Sequence, residues 1–501
     1  MEKKLFYKKE TIGFIIGIMG AVLLLFMSWR QNMAMVVWLM PAMLIFSFRS
    51  QIKWYTTLPA AALCVAMKIM AMHGGWDIDF VMELAFGILV SMPLLTALYF
   101  DRYFSARAKP FLATLVFPAV YTAMDFLLSF SPVGMTFSIP YTQSRQLLLV
   151  QGSALFGSWF FGFVAAWFGP LINTVLQQAS QGRKIWRILT AYVLVMAVLL
   201  GYGSAKQVFA SPDSSNVRVG SITVEHPIDF WSITDAGTPR EGSNANKAIM
   251  SEIGDELFRL SQKAADYGAK IIFWSEGNYV MYEDQYDAFI DKAGSFAREN
   301  KVYLLSAILV LRYDSSKNDN KTVMINPEGR VEFEYEKTNS WYPTDSDGVI
   351  RKVDTPYGRI GSAICFDMDF PRFIRQAADV DIMLVPAYDT RKISPFHTEA
   401  ALLRGVEYGF SVIRQCNAGT SIAADYNGNI LASQDFFTTK VRCMISDVPT
   451  EGLTTLYEVT GEWFAWICVI ALVCLITLGL LLLCSRLPLL RHIKLESKDK
   501  S

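Results

Sequence analysis

The chain is poor in the residues that usually bind metals, with seven cysteines and four histidines among 501 residues. No Cys-x-x-Cys pair is present, so the spacing typical of a zinc site is missing. Four cysteines lie in apolar runs, and the other three form no even, regularly spaced set for a disulfide framework. We therefore expect no metal and no cofactor.

The chain also lacks a net charge, because 46 lysines and arginines balance 46 aspartates and glutamates. Nucleic-acid binding usually needs a basic excess, so we expect no nucleic-acid partner. Hydrophobic residues, in contrast, make up 52% of the chain. That share is high for a soluble protein, and the lipid bilayer is therefore the expected environment.

Long apolar runs support a multi-pass membrane protein, since a bilayer core needs about 20 apolar residues per helix. The sequence predicts a membrane domain with seven transmembrane helices at 1–208, a catalytic domain at 209–460, and a last helix with a short basic tail at 461–501. The predicted helices are 11–29, 32–48, 54–72, 80–100, 111–130, 148–177, 187–206 and 463–484. Lys68 and Glu83 lie near helix ends, where long side chains can reach the interface. Asp125, at mid-helix, has either a functional role or an interhelical hydrogen bond.

Clusters of lysine and arginine mark alternate ends of these helices, and such clusters favour the cytoplasmic side. They predict cytoplasmic termini and an extracytoplasmic (periplasmic) catalytic domain in a cytoplasmic (inner) membrane. The clusters are Lys3, Lys4, Lys8 and Lys9; Arg49 and Lys53; Arg102, Arg107 and Lys109; Arg183, Lys184 and Arg187; Arg486, Arg491 and Lys494.

The polar domain between the last two helices shows strand-like runs alternating with amphipathic helices. Turn signals at 327–329 and 426–429 add hairpins, so an α/β domain with a substantial antiparallel component is predicted. Predicted strands are 217–224, 270–274, 302–311, 360–365, 381–386 and 411–414, and predicted helices are 246–267, 283–300 and 394–409.

Three reactive residues each end a predicted strand of this domain. Glu276 lies in Phe-Trp-Ser-Glu-Gly, Lys337 in Glu-Tyr-Glu-Lys and Cys365 in Ile-Cys-Phe-Asp. A catalytic thiol needs a base and a positive neighbour, and the acid and the lysine fit those roles. Each residue alone also has a structural interpretation, as a core thiol, a helix-start carboxylate or a hairpin lysine.

The segment 217–449 resembles the nitrilase, or carbon–nitrogen hydrolase, superfamily. The resemblance rests on the three motifs above, on Arg404-Gly-Val-Glu-Tyr-Gly and on Asn417-Ala-Gly-Thr. It implies an αββα sandwich and a catalytic Glu276-Lys337-Cys365 triad. The flanking helices make the chain similar to the apolipoprotein N-acyltransferases, membrane-embedded members of that superfamily.

This second resemblance implies an N-acyltransferase. Its acyl donor would be a phospholipid, its intermediate a thioester on Cys365, and its acceptor the α-amino group of the S-diacylglyceryl-cysteine of an apolipoprotein. It further implies substrate-binding or supporting positions, which are Trp231, Trp341, Asp345, Phe366, Asp367 and Asn417. The acid expected after Lys337 is missing from its usual loop, and Asp345 or Asp347 is the expected replacement. His397 starts a predicted helix and fits a wall or capping position better than a catalytic one.

Two other functions remain open. A membrane-tethered nitrilase-type amidase would hydrolyse carbon–nitrogen bonds with water as the acceptor. A transporter or receptor would use the domain only for binding. We expect a monomer in each case.

Overall fold

The computed structural model describes residues 2–29, 31–51, 53–75, 78–210, 214–225, 244–313, 318–341 and 343–485. Side chains are described from residue 10 onward and, after the gap that follows residue 225, again from residue 247. A bundle of apolar helices comes first, and an α/β domain follows before one last long helix.

The first part is helical because its apolar runs can satisfy their backbone hydrogen bonds only within themselves in lipid. Its helices are α1 (Glu2–Val22), α2 (Val36–Ser50), α3 (Leu58–Met72), α4 (Phe80–Phe104), α5 (Pro110–Leu128), α6 (Leu147–Val150), α7 (Ser153–Phe156), α8 (Ser158–Ser180) and α9 (Trp186–Phe209). Their shared core includes Phe48, Leu98, Phe117 and Val120.

Two sheets form the α/β domain. The strands are β1 (Asn216–Ile222), β2 (Ile271–Trp274), β3 (Tyr279–Tyr282), β4 (Tyr303–Leu311), β5 (Asp319–Ile325), β6 (Val331–Glu336), β7 (Arg351–Thr355), β8 (Gly358–Ser362), β9 (Ile382–Tyr388), β10 (Ser411–Asn417), β11 (Thr420–Ala424), β12 (Ile430–Asp435) and β13 (Cys443–Pro449). One sheet has the order β13-β1-β2-β4-β5-β6, with β3 also on β4, and the other has the order β12-β11-β10-β9-β8-β7. The central pairs β1-β2, β2-β4, β8-β9 and β9-β10 are parallel.

Apolar side chains from both sheets meet in one core, where Phe273 and Leu305 face Ile382 and Ile413. Helices α10 (Asn244–Asp266) and α11 (Tyr286–Asn300) cover the outer face of the first sheet. Helices α12 (Pro371–Ile374), α13 (Phe396–Tyr408) and α14 (Leu456–Thr460) pack on the outer face of the second sheet, and α15 (Trp463–Cys484) ends the described chain. The predicted αββα sandwich is confirmed.

Within the described part of the chain, six helices are long and apolar enough to cross a membrane: α4, α5, α8, α9, α15 and the segment Trp54–Met72 that contains α3. The apolar part of α1, at Glu10–Phe26, and α2 are shorter. The multi-pass membrane part is therefore confirmed, while the count of seven spans before the α/β domain stays a prediction.

The sixth predicted membrane helix, 148–177, is interrupted. Gly157 has a φ of 72° and ends α7, so the long helix α8 begins only at Ser158. The Ser158 N–H donates to a carboxylate oxygen of Glu407 in α13 at 2.6 Å. A buried N–H at a helix start has no partner within the helix and needs such an acceptor, and the α/β domain supplies it.

Two charged residues expected at the interface are buried instead. Lys68 is 3% exposed and Glu83 is 7% exposed. The segment after α5 folds back into the helices. The Phe137 carbonyl of this segment accepts a hydrogen bond from Lys68 Nζ at 3.5 Å. In the same segment, the Ser138 hydroxyl donates to Asp125. The snorkelling prediction was therefore wrong for Lys68, and the hydrogen-bond partner of Asp125 lies in the loop after its own helix, not on another helix.

Candidate active site

Glu276, Lys337 and Cys365 follow the carboxyl ends of β2, β6 and β8, and the fold brings these ends together. Lys337 Nζ lies 2.7 Å from Glu276 Oε1, and the lysine side chain is only 13% exposed. Cys365 is 8% exposed and near enough for both charges to act on its thiol. The three predicted residues thus form one buried cluster.

Three donors fix the carboxylate of Glu276. Lys337 and Asn320 Nδ2 each donate to Oε1 at 2.7 Å, and the backbone N–H of Tyr388 donates to Oε2 at 3.0 Å. The carbonyl of Tyr388 also accepts a hydrogen bond from Cys365 Sγ at 3.5 Å. Sequence reasoning missed Asn320 and Tyr388, and a backbone contact such as that of Tyr388 leaves no side-chain signal.

Burial raises the pKa of Cys365 to about 12, and the charge of Glu276 adds to the rise, while Lys337 and Arg414 oppose it. Burial alone would lower the pKa of Lys337, but the charge of Glu276, and that of Cys365 once it is ionised, raise it above its usual range. The resting site therefore holds a neutral thiol beside a lysine–glutamate ion pair.

The backbone at Cys365 is unusual, with a φ of 49° in a residue that is not glycine. Such left-handed positions cost roughly 1–3 kcal/mol and persist where the surroundings hold them. Asp367 supplies that support: its Oδ2 accepts from the Ile364 N–H at 2.9 Å and from the Tyr335 hydroxyl at 2.6 Å. Its Oδ1 accepts from the backbone and side-chain nitrogens of Asn339 at 2.8 and 3.0 Å.

Asp367 therefore joins the Cys365 turn to the segment that carries Lys337. Burial raises the pKa of Asp367, while the bonds from Tyr335, Asn339 and Ile364 and the charge of Lys337 lower it. Asp345, the expected second acid, lies in an exposed stretch, where its backbone N–H donates to Glu336. Besides Glu276, the buried carboxylate of Asp367 raises the pKa of Lys337 through its charge.

A buried ion pair lies on the other side of the thiol. Arg414 donates to both oxygens of Asp389 at 2.9 and 3.0 Å, and its Nη2 lies 3.8 Å from Cys365 Sγ. Burial opposes both charges, yet mutual attraction raises the pKa of Arg414 and lowers that of Asp389. An arginine inside a strand predicted to be buried was the sequence signal for this missed residue.

Aromatic rings connect the site to the helical bundle. Phe366 stacks on Trp341 with ring centroids 5.6 Å apart, and Trp341 lies 5.0 Å from Phe86 of α4. His397 contacts the Phe366 ring and pairs with Asp369 at 2.9 Å, so it forms part of the wall.

Of two other predicted supporting positions, Asn417 and Trp231, the structure describes only Asn417. Asn417 is buried at the end of β10, and its carbonyl accepts from the Asp389 N–H at 2.9 Å. It therefore supports the ion pair below the thiol. Trp231 lies outside the described residues.

A cavity of about 390 Å³ opens beside Phe366, between the two parts of the molecule. Its lining comes from the end of α5, the segment after Lys337 and the start of α12: Ser129, Phe130, Ser131, Pro132, Thr338, Asn339, Ser340, Phe366, Phe370, Pro371, Arg372 and Phe373. The site thus borders both the helical bundle and open space.

The chain resembles one known family and several known proteins. Residues 245–455 match the Carbon-nitrogen hydrolase family. An apolipoprotein N-acyltransferase of Photobacterium profundum is 24% identical over 57% of this chain and 58% of its own length. Apolipoprotein N-acyltransferase 1 of Treponema denticola is 21% identical over 77% of this chain and 80% of its own length. The crystal structure of an amidase from Nesterenkonia sp. has a TM-score of 0.37 and 15% identity, and covers 48% of this chain and 93% of the amidase.

Proposed function

We propose that this chain, whose residues 245–455 form a carbon–nitrogen hydrolase domain, is a membrane-embedded lipoprotein N-acyltransferase. It moves a fatty acyl chain from a phospholipid to the α-amino group of the N-terminal S-diacylglyceryl-cysteine of a lipoprotein. Its relatives among the apolipoprotein N-acyltransferases support this function.

The observation that carries the proposal is the aromatic connection from Cys365 to the membrane helices. Phe366, next in sequence to the thiol, stacks on Trp341, which touches Phe86 of α4. A small amide substrate needs no such path, whereas a long acyl chain must stay in apolar surroundings to reach a thiol. The 390 Å³ cavity beside Phe366 gives room for the polar end of a lipid.

In the first half-reaction, Glu276 takes the proton of the Cys365 thiol, and the sulfur attacks the carbonyl carbon of the lipid ester. Lys337 stabilises the oxyanion of the tetrahedral intermediate. The ester C–O bond breaks, the lysophospholipid leaves as an alcohol with the proton from Glu276, and a thioester remains on Cys365.

In the second half-reaction, the amine of the lipoprotein attacks the thioester carbon. Glu276 accepts a proton from the nitrogen and returns it to the departing sulfur, so the amide forms and the free thiol is regenerated. The Phe366 and Trp341 rings exclude water from the thioester, because hydrolysis at this stage would waste the acyl group.

The proposal places the enzyme in the cytoplasmic membrane with its α/β domain on the extracytoplasmic side and its termini in the cytoplasm, as a monomer. The basic clusters at alternate helix ends support this orientation.

Intact-protein mass spectrometry tests the reaction. The purified full-length chain, given a phospholipid with defined acyl chains, should gain the mass of one acyl group on Cys365. Addition of a diacylglyceryl-cysteinyl peptide should then remove the adduct and yield the triacylated peptide.

Two variants serve as controls. Cys365→Ala should carry no adduct, while Cys416→Ser, a change at a second buried cysteine of the same cluster, should still be acylated. Release of ammonia from small amides without any lipid would support the amidase instead. An unmodified Cys365 in the presence of phospholipid would refute acyl transfer.

A further inference from the structure

A second cavity lies at the end of the helical bundle that is farthest from the α/β domain. Its volume is about 870 Å³. Phe86 of α4 touches Trp341, whereas Arg102 of the same helix lines this cavity. Sixteen residues at about 1.5 Å per residue separate them by roughly 24 Å, close to the thickness of a bilayer core. The cavity is therefore remote from Cys365.

The lining of this cavity combines cations, aromatic rings and one aliphatic wall. Among the described lining residues, four are cations, namely Arg49, Lys53, Arg102 and Arg107. None of the described lining residues is a carboxylate. Trp54, Tyr55, Tyr99 and Tyr103 add rings of the kind found at membrane interfaces. The wall is one face of α15, formed by Leu475, Ile476, Gly479, Leu480 and Leu483.

The cations differ in how their charge is used. Arg49 forms a two-point ion pair with Asp101 at 2.7 Å, which anchors α2 to α4. Arg102 donates to the carbonyl of Gln51 at 3.0 Å, and Arg107 lies over the Tyr103 ring. These contacts hold three of the cations in place around the cavity.

We propose that this cavity binds an anionic glycerophospholipid. Arg102, Arg107 and Lys53 receive the phosphate of the headgroup, and an acyl chain lies along the aliphatic wall of α15. The residues after 485 are not the occupant, because they form a basic segment, with Arg486, Arg491 and Lys494, that the positive lining would repel. Basic pockets between membrane helices are suited to anionic lipid headgroups.

The small residue Gly479 supports the acyl-chain part of the proposal. Gly479 lines the cavity, and a Cβ added there would already touch the Phe104 ring at 3.4 Å, so a larger side chain would extend into the space between α4 and α15. Glycine is otherwise unfavourable inside a helix. Substitution with leucine should fill the groove while favouring the helix itself.

Native mass spectrometry of the full-length chain tests this site. The protein is titrated with dioleoyl phosphatidylglycerol, with dioleoyl phosphatidylcholine, or with phosphatidylglycerol plus excess inorganic phosphate. We expect phosphatidylglycerol to be retained and phosphatidylcholine to be lost. Free phosphate should not displace the lipid, because the acyl chain contributes to binding.

Three variants make the test specific. Lys53→Gln with Arg107→Gln removes two exposed charges and should weaken phosphatidylglycerol binding roughly 30-fold. Gly479→Leu should weaken it while all charges remain. Arg183→Gln with Lys184→Gln removes two exposed charges from the loop after α8, outside this cavity, and should leave binding unchanged.

Equal loss in the Arg183/Lys184 variant would mean general surface attraction and would overturn the site. Equal retention of phosphatidylcholine, or displacement by free phosphate, would overturn the anionic lipid as its ligand. Unchanged binding in Gly479→Leu would overturn the acyl-chain groove. Acyl transfer at Cys365 is not needed for any of these readouts, so the proposal stands or falls separately from the enzymatic one.

Discussion

Replacement of Asp367 by asparagine tests whether one buried carboxylate holds the site together. Each oxygen of Asp367 accepts two hydrogen bonds. The asparagine amide puts an NH₂ group in place of one oxygen. The two N–H or O–H groups that donated to that oxygen then face a donor instead of an acceptor. The Tyr335 hydroxyl and the Asn339 side chain can turn away, but the backbone N–H of Ile364 or Asn339 cannot.

At least one hydrogen bond to a charged acceptor is therefore lost, which costs about 2–3 kcal/mol including the unpaired donor. Ile364 precedes the strained Cys365, and Asn339 follows Lys337 by two residues, so the cost falls on the geometry of the reacting groups. If that geometry must be restored in the transition state, acylation slows by roughly 30-fold to 150-fold.

The assay is the rate of acyl-adduct formation on Cys365 by intact mass, together with thermal unfolding. Asp345→Asn is the matched control, because Asp345 follows the same lysine but is exposed. We expect normal acylation in the control and a fold that survives in both variants. An Asp367→Asn enzyme that acylates at the wild-type rate, or an equally slow Asp345→Asn enzyme, would refute the reasoning.

Three further predictions concern the surroundings of the thiol. Because the pKa of Cys365 is raised to about 12, only about one thiol in ten thousand is ionised at pH 8, and alkylation by iodoacetamide should rise about tenfold per pH unit from 7 to 10. Glu276→Gln removes a charge that raises this pKa, so it should speed alkylation while abolishing acyl transfer. A wild-type alkylation rate that reaches a plateau near pH 7 would contradict the raised pKa. Arg414→Met leaves Asp389 buried without its partner and should destabilise the protein by about 3–5 kcal/mol, seen as a lower Tm. Adding Asp389→Leu should restore most of the Tm but not the acylation rate, and a Tm unchanged by the single variant would count against a structural role for the pair. Trp341→Ala opens the aromatic wall, and the acyl adduct should then hydrolyse faster, measured as its half-life by mass spectrometry; an unchanged half-life would show that other groups exclude water.

The three reactive residues could be predicted from the sequence because each lies in a motif that carries its own local context. Glu276, Lys337 and Cys365 each follow a strand, and strand ends of one sandwich converge whatever the loops between them do. The domain boundaries and the catalytic roles of these residues remain predictions.

The supporting residues were harder to predict, for physical reasons. Asp367 and the exposed Asp345 were both expected as supporting positions, and what distinguishes them is the bond from Asn339 to Asp367, which spans 28 positions of sequence. Lys68 was placed at the interface because its position near a helix end allows it. Its burial depends on the Phe137 carbonyl, which belongs to a segment that folds back only in three dimensions.

The helix interruption before Ser158 has a similar origin. The apolar run from 148 to 177 fits a single helix, and the glycine at 157 alone would not exclude one. The carboxylate of Glu407 lies 249 residues away in sequence, and only the assembled molecule shows that it accepts the N–H of Ser158.

The antiparallel pair β1-β13 determines how the α/β domain is attached to the bundle. Asn216 lies opposite Pro449, and the Thr450 N–H donates to the Ser215 carbonyl at 2.9 Å, so the chain enters and leaves the domain at one place. The hydrogen bonds of this strand pair therefore hold the two ends of the domain side by side. Because Glu407 also accepts the N–H of Ser158, the domain is fixed to the bundle at a second place as well.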